Sequence, residues 1–235
     1  MKYPVLVPNI FNYPFTYASE IKLQVGDYVK VPFGKSIVTG VVWNEFEKTK
    51  NKKFTIKKIL EKINIEPLKH ETINFLNLFS EYNLVPKGMC LKLHLLRGEA
   101  IGSFDKKEYD KHNKHDKRIE FKLSIEQSKI LKEVLKNSKD FRVHLLQGTT
   151  GSGKTIVYFN AIEDKLNKGL QALILLPEIG LTNEFEKKFK EFFGFTPAIW
   201  HSGISKKKKK TIWNGLSKGK IKVVIGARSA LFLPF

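Results

Sequence analysis

A chain of 235 residues, 42% hydrophobic and 12% aromatic, is long enough for one large or two modest domains with buried cores, and too apolar to stay disordered. Lysine and arginine number 42 against 23 acids, and the resulting formal net charge of +19 suits a surface that displaces counterions from nucleic acid. One cysteine, Cys90, excludes a disulfide framework and a thiolate zinc site, and no run nears the roughly 18 to 20 apolar residues of a membrane span.

The opening Met1-Lys2-Tyr3-Pro4 has no signal-peptide core, so a cytoplasmic protein without a membrane partner is expected. Residues 3–62 read as short β segments: Val5-Leu6-Val7, Phe15-Thr16-Tyr17, Tyr28-Val29-Lys30-Val31, a turn at Pro32-Phe33-Gly34, and the run 37–43. Together they predict a small antiparallel barrel or sheet. Residues 68–82 set Ile73, Leu76 and Phe79 at helical spacing, a core stripe. Residues 84–97 add a short apolar stretch in which Cys90 reads as buried filling. Residues 105–118 are almost wholly charged or polar and predict an interdomain linker, too poor in ligands for His112 and His115 to hold a metal. The expected division is therefore a domain over 1–104, a linker over 105–120 and a domain over 121–235.

After the linker the period changes. A helix at 124–136, strand at 142–146, helix at 154–167, strand at 170–176, helix at 181–193, strand at 198–200, helix at 205–217 and strand at 222–225 follow in turn. Alternation of this kind implies an α/β domain with a parallel, helix-covered sheet whose ligands gather at the carboxyl ends of the strands. The five lysines at 206–210 read most simply as a solvated helix face. Only Arg97, Arg118, Arg142 and Arg228 are arginines, and Lys, Asn, Ile and Phe are plentiful, so part of the net charge has the look of an AT-rich coding bias.

Between the predicted strand and helix stands Gly148-Thr149-Thr150-Gly151-Ser152-Gly153-Lys154-Thr155, a complete G-x-x-x-x-G-K-[ST] phosphate-binding loop. Glycines let backbone N–H groups curl around an anion, Lys154 reaches the β- and γ-phosphates, and the Thr155 hydroxyl ligates Mg²⁺. The bland alternative is an ordinary glycine-rich turn with an exposed lysine. Strand before and helix after favour ATP with Mg²⁺ as the ligand.

Further stretches follow the later strands: Leu176-Pro177-Glu178-Ile179-Gly180-Leu181-Thr182, then His201-Ser202-Gly203, then Gly226-Ala227-Arg228-Ser229-Ala230-Leu231-Phe232. With the phosphate loop, this ordered set resembles the first half of a superfamily-two helicase motor. In detail it is similar to the PriA family of replication-restart helicases, also called primosomal protein N′. There these stretches read G-x-T-G-S-G-K-T, L-x-P-E-I-x-L-T, H-S-G and G-x-R-S-A-L-F. Upstream, Val25 to Lys35 resembles the V-x-V-P-F-G-K segment of that family's DNA-binding domain. The fold implied is a small, mostly antiparallel β domain with a helix, followed by an incomplete parallel-sheet P-loop lobe of RecA type.

The resemblance assigns roles by position. Gln127 matches the glutamine that reads adenine, although Ser124-Ile125-Glu126-Gln127 is also a capping box in which it only closes a helix start. Glu178, Thr182, Ser202 and Arg228 would line the DNA path, where hydroxyls, backbone amides and arginine contact phosphates without regard to sequence; Arg228 also reads as an exposed ion pair, and His201 reads equally as a DNA contact and as a structural or capping residue. The family captures a free 3′ DNA end near an F-D-Y stretch, matched here by Phe15-Thr16-Tyr17, with Lys35 close behind. Thr16 replaces the acid, though its hydroxyl can still accept a hydrogen bond, and Phe15 and Tyr17 suit either base stacking or core filling.

Three departures bear on activity. The linker leaves no room for the family's winged-helix module, no cysteines supply its zinc module, and no apolar strand precedes an Asp-Glu pair. The simplest expectation is a piece of a longer ATP-dependent 3′-to-5′ DNA helicase that binds single-stranded and forked DNA, with primosome proteins and single-stranded DNA-binding protein as partners by resemblance. Alone, it is expected to bind DNA and ATP but not to hydrolyse it, because phosphoryl transfer needs the missing carboxylates and second lobe. The rival readings are a non-enzymatic DNA-end or fork-binding module with a vestigial pocket, and a restriction or repair translocase, against which the V-P-F-G-K segment argues.

Overall fold

The computed structural model describes residues 1–46, 55–96, 119, 121–136, 141–177 and 183–235. The expected linker, Ile119 aside, lies outside the described residues, as do Glu178 and Thr182. Two compact units interleave along the sequence: Met1–Asp105 with Gly203–Lys220 and Leu231–Phe235 in one, Lys106–Ser202 with Ile221–Ala230 in the other.

The first unit is built on an antiparallel sheet of β1 (Lys2–Leu6), β2 (Phe15–Ala18), β3 (Tyr28–Phe33), β4 (Ser36–Val42) and β5 (Glu61–Lys62), in the order β2-β1-β4-β3-β5. Its edges are drawn together by one short segment: Ala18 N–H donates to the Lys57 carbonyl at 2.9 Å, and Leu60 N–H to the Lys30 carbonyl at 2.9 Å. Val5, Val7, Val29, Val31 and Val42 fill the interior, the β-branched residues expected on a pleated, buried face. The β3–β4 hairpin pairs Phe33 with Ser36, so its turn is Gly34-Lys35 and not Pro32-Phe33-Gly34. Gly34 supplies the positive φ, 60°, of a two-residue turn. Pro32 stays in β3 because β5 pairs only with Val29 and Lys30; at Pro32 the strand has a neighbour on one side, where a missing N–H is tolerated.

Gly26 fixes how the chain enters β3. Its φ is 92°, its N–H donates to the Val42 carbonyl at 2.8 Å and its carbonyl accepts from Leu68 N–H at 2.9 Å. A β-carbon there would collide with the Leu68 carbonyl. Next to it, buried Asp27 accepts from Gln24 N–H at 2.9 Å and from Lys62 Nζ at 2.8 Å, tying β5 to the same corner.

Among the described residues, three α-helices belong to this unit: α1 (His70–Asn83), α2 (Lys87–His94) and, from far along the sequence, the helix Lys206–Ser217. In α1, Ile73 and Leu76 are buried as expected, whereas Phe79 is half-buried, its ring 5.0 Å from that of Phe232. Cys90 is buried, which pushes its thiol pKa up.

His94, at the end of α2, is the polar centre. The Phe232 carbonyl can only accept, so its 2.8 Å contact puts the ring hydrogen on Nδ1, and Nε2 accepts from the Tyr28 hydroxyl at 2.8 Å. The His94 carbonyl accepts from Trp213 Nε1 at 2.9 Å. Burial pushes the imidazole pKa down to about 4, against a smaller upward pull from the Phe232 carbonyl, and pushes the Tyr28 hydroxyl up.

In the second unit, β6 (Ala172–Leu175), β7 (Ala198–Trp200) and β8 (Val223–Gly226) form a parallel sheet in the order β6-β8-β7. Against it pack helices α4 (Lys154–Asn167) and α5 (Asn183–Phe193); α3 (Ile125–Leu135) precedes them, and the Lys206–Ser217 helix of the first unit is α6. Phe159 of α4 is nearly fully buried among Phe185, Phe189, Phe192 and Phe193 of α5, with ring centroids 5.2 to 5.8 Å away. Residues 142–146, expected as a strand, are not one: Val143 and Leu145 are 83% and 92% exposed. A parallel strand depends on ladder partners; β8 pairs with β6 and β7, and residues 142–146 join neither of the outer edges that β6 and β7 leave.

Gly26→Ala forces a side chain into a left-handed conformation and against backbone, and it should lower stability by roughly 2 kcal/mol or more in a denaturant titration; an unchanged midpoint contradicts the corner described. Below the ordinary histidine pKa of 6.5 the unfolded chain takes a proton on His94 that the folded chain refuses until about pH 4. Stability from this group is therefore full above 6.5 and lost as pH falls through that window, on the order of 3 kcal/mol in all. The difference in unfolding free energy between the chain and non-titrating His94→Gln should narrow from pH 7 to pH 4.5. A constant difference contradicts a buried neutral imidazole.

Candidate functional site

The phosphate loop turns on two left-handed glycines, Gly151 at φ 83° and Gly153 at φ 80°, conformations that a side chain rarely adopts. Ser152 N–H donates to the Thr149 carbonyl at 3.2 Å, and a β-carbon on Gly148 would stand 2.7 Å from the Ser152 hydroxyl, so the loop is closed on itself. Lys154 bends back over it: Nζ donates to the carbonyls of Gly148 and Thr149, each at 2.7 Å. Gly153 caps α4 without a side-chain acceptor, which leaves the first N–H groups of the helix turned toward the loop with no side chain to satisfy them. Thr155 Oγ1 accepts from the Tyr158 hydroxyl at 3.4 Å.

Gln127 is a helix cap that also touches the loop. Its backbone N–H donates to Ser124 Oγ at 3.1 Å and its Oε1 accepts from Ser124 N–H at 2.9 Å, completing the capping box at the start of α3. Its Nε2 donates to the Ser152 carbonyl at 3.2 Å. Both ends of the amide are thus engaged.

Beside the loop opens a cavity of about 650 Å³, within the range of small-ligand sites. Gly151, Gly153, Lys154 and Thr155 form one wall; Lys188 and Phe192 of α5 belong to another, with Phe121 stacked on Phe192 at 5.8 Å and 18°. Sequence reading missed Phe121, Lys188 and Phe192. Nothing local separates a phenylalanine that lines a cavity from one that fills a core.

The loops after β6, β7 and β8 come together at one end of the parallel sheet. Leu176 N–H donates to the Gly226 carbonyl at 3.0 Å, and Ala227 N–H to the Trp200 carbonyl at 3.1 Å. This end holds His201, half-buried, and Ser202, exposed, directly after β7, and exposed Arg228 at the start of a 3-10 helix, Arg228–Phe232. Glu178 and Thr182 belong to the β6 loop in sequence but lie outside the described residues. The phosphate loop is not carried by a strand of this sheet.

In the first unit, Phe15, Thr16 and Tyr17 pair with Val5, Pro4 and Tyr3 on β1. Tyr17 is core: its ring is buried, which pushes its pKa up, and its hydroxyl donates to the Pro32 carbonyl at 3.2 Å. Thr16 is half-buried, and Lys35 is exposed at the hairpin tip. Phe15 is half-buried in a run of rings with Phe11, Tyr13 and Phe33 at 5.3 to 5.5 Å, of which sequence reading singled out only Phe15 as a site residue.

The family described as "3'DNA-binding domain (3'BD)" matches residues 4–95, and the "DEAD/DEAH box helicase" family matches 124–235. The replication restart protein PriA of Rickettsia conorii is 36% identical over 233 residues, 98% of this chain and 35% of the relative. PriA of Rickettsia felis is 38% identical over 234 residues with the same coverage, and PriA of Helicobacter pylori strain 26695 is 33% identical over 228 residues, 94% of this chain and 33% of its own length. The chain thus spans about a third of the length of these relatives. With matches to a 3′ DNA-binding domain and to a DEAD/DEAH box helicase region along one chain, and PriA relatives aligned along nearly its whole length, the chain is similar to about a third of a PriA replication restart protein.

Proposed function

We propose that the whole protein is an ATP-dependent 3′-to-5′ DNA helicase or translocase that restarts replication at stalled forks, and that these 235 residues bind DNA and ATP without hydrolysing it alone. The reading rests chiefly on the glycine loop at the head of α4, where Lys154 lies folded over two carbonyls and the helix start has no side-chain cap. An anionic phosphate chain suits that donor set: backbone N–H groups at a helix start, one flexible ammonium and a neighbouring hydroxyl. Lys154 would swing from Gly148 and Thr149 to the β- and γ-phosphates. Thr155 would hold Mg²⁺, which neutralises phosphate charge when bound. Gln127, whose Nε2 donates to the Ser152 carbonyl, braces the loop, and its part in reading adenine is carried over from the family resemblance alone.

On this reading residues 1–104 bind the 3′ DNA end and residues 121–235 begin the first RecA-like lobe. Phe15 and its neighbouring rings stack on a base, Thr16 accepts from the terminal hydroxyl, and Lys35 meets phosphate. Tyr17 supports the strand from beneath. Ser202 and Arg228, with Glu178 and Thr182 on sequence grounds, follow the strand through the motor. Single-stranded and forked DNA are the partners, with primosome proteins and single-stranded DNA-binding protein joining in the cytoplasm. The absence of an Asp-Glu box from this sequence leaves the attacking water unplaced, which removes turnover and not binding.

Losing a charge-assisted contact of about 1.5 to 3 kcal/mol should weaken nucleotide binding by Lys154→Ala roughly 10- to 150-fold in a titration with a fluorescent ATP analogue. DNA affinity should stay within a factor of a few. Loss of both in a folded variant contradicts separate sites, and no nucleotide binding by the unaltered chain favours a DNA-binding module with a vestigial pocket. Phosphate release by the isolated chain with Mg²⁺, ATP and DNA should equal the no-protein blank; sustained turnover sinks the inactive-half reading.

A further inference from the structure

We propose that Phe11 and Tyr13 form a second stacking platform, which takes the base next to the terminal one of a single strand, and that Asn12 is the positioning residue that sets it; this rests on the 3′-end reading above. Phe15 and Phe33 pack on the buried interior of the sheet. Phe11 and Tyr13 pack on Phe15 instead, at 5.5 and 5.3 Å, and on each other at 5.5 Å. Among the described residues these are their ring partners, and Phe11 stays 37% exposed. Interplanar angles of 40°, 54° and 82° keep the three rings from stacking on one another, so their faces point in different directions. Flat bases cover such faces whatever their identity. Residues 1–19 contain no carboxylate, and Lys35 stands at the hairpin tip two residues after Phe33, so the ring run has a cation at one end and no acid in its own stretch of chain. A phosphate backbone suits that setting.

The start of α2 holds this loop in place. Pro86, which precedes the helix, offers no side-chain acceptor, so the first N–H groups of α2 need partners from elsewhere. Residues 11 and 12 supply them: Lys87 N–H donates to Asn12 Oδ1 at 3.0 Å, and Gly88 N–H donates to the Phe11 carbonyl at 3.1 Å. Asn12 Oδ1 also stands 3.3 Å from Ser80 Oγ of α1. Within the loop, Phe11 N–H donates to Asn9 Oδ1 at 2.8 Å, a turn that asparagine favours. Helix and loop approach closely, since a β-carbon on Gly88 would stand 2.7 Å from the Asn9 carbonyl oxygen and 2.8 Å from that of Val7. Glu45, which reaches the same helix start, pairs with Lys87 Nζ at 2.7 Å. Both sequence neighbours of Asn12 are platform rings. An amide engaged with α2 therefore sets Phe11 and Tyr13 before DNA arrives, which lowers the ordering cost of binding.

The experiment measures binding of the full chain to a 3′-ended single strand, intact or with one base removed, at the terminal position or at the one before it. In the unaltered chain, removing the second base should weaken binding roughly 5- to 150-fold. Phe11→Leu with Tyr13→Leu keeps apolar bulk and should abolish that penalty while the penalty at the terminal base remains. Asn12→Ala should cut the second-base penalty about threefold or more, and Asn12→Asp, which keeps an acceptor for Lys87 N–H, should restore it. If Asn12→Ala does not fold, Lys87→Pro removes the donor instead and leaves the helix start intact, because Pro86 already has extended backbone, ψ 137°; it should cut the penalty likewise. No second-base penalty in the unaltered chain, or one that survives in the folded double-leucine variant, overturns the platform. A full penalty in folded Asn12→Ala or Lys87→Pro, or no restoration by Asn12→Asp, overturns the positioning role. A penalty at the terminal base alone leaves the 3′-end reading standing, whereas failure of the unaltered chain to bind any single strand removes that reading too.

Discussion

Much of the first unit depends on one buried imidazole. His94 joins β3 through Tyr28, the end of the chain through the Phe232 carbonyl, and α6 through its own backbone oxygen. The Phe232 carbonyl can only accept, which sets the ring hydrogen on Nδ1, and the Tyr28 hydroxyl, able to do either, then donates to Nε2, so one tautomer satisfies both. Half-satisfied networks in a low-dielectric core cost more than apolar packing, whereas a complete one selects a single arrangement. It also explains why a helix more than a hundred residues downstream belongs to the unit built on the N-terminal sheet. Lys206–Ser217 buries six residues in its C-terminal half, and the single indole N–H of Trp213 is spent on the His94 carbonyl.

The second unit is organised by rings. Phe159 sits among the phenylalanines of α5 and orients α4, whose first residue is Lys154. Sequence, packing and chemistry therefore connect: an aromatic face fixes the helix, the helix start leaves N–H groups without side-chain caps, and two left-handed glycines let the preceding loop turn back over them. Gln127 braces the loop from outside. A phosphate chain would complete what the protein begins there.

Elements with strong local signals were legible in the sequence. The β3–β4 hairpin, the α1 stripe at Ile73 and Leu76, the Ser124 cap and the alternation of helices with β6, β7 and β8 all follow from periods of 2 and 3.6 residues and from turn chemistry. The phosphate loop was legible because its glycines and lysine are fixed by spacing alone. Residues 142–146 were misread because an apolar run carries no information on whether a ladder forms, and this one joins neither open edge of the β6-β8-β7 sheet. Gln127 satisfied the local reading while its contact with Ser152, twenty-five residues away, had no local signature. The cavity residues Phe121 and Phe192 were invisible for the same reason, and so was the membership of α6 in the first unit.

The central claim is that the loop ending in Lys154 grips the phosphates of a nucleotide. Amide hydrogen exchange across 148–156, with and without a saturating nonhydrolysable ATP analogue and Mg²⁺, tests it most directly. The account predicts that the amides from Gly151 to Ile156 slow markedly while those of β1 to β5 keep their rates. Equal exchange in the loop with and without the analogue would contradict it.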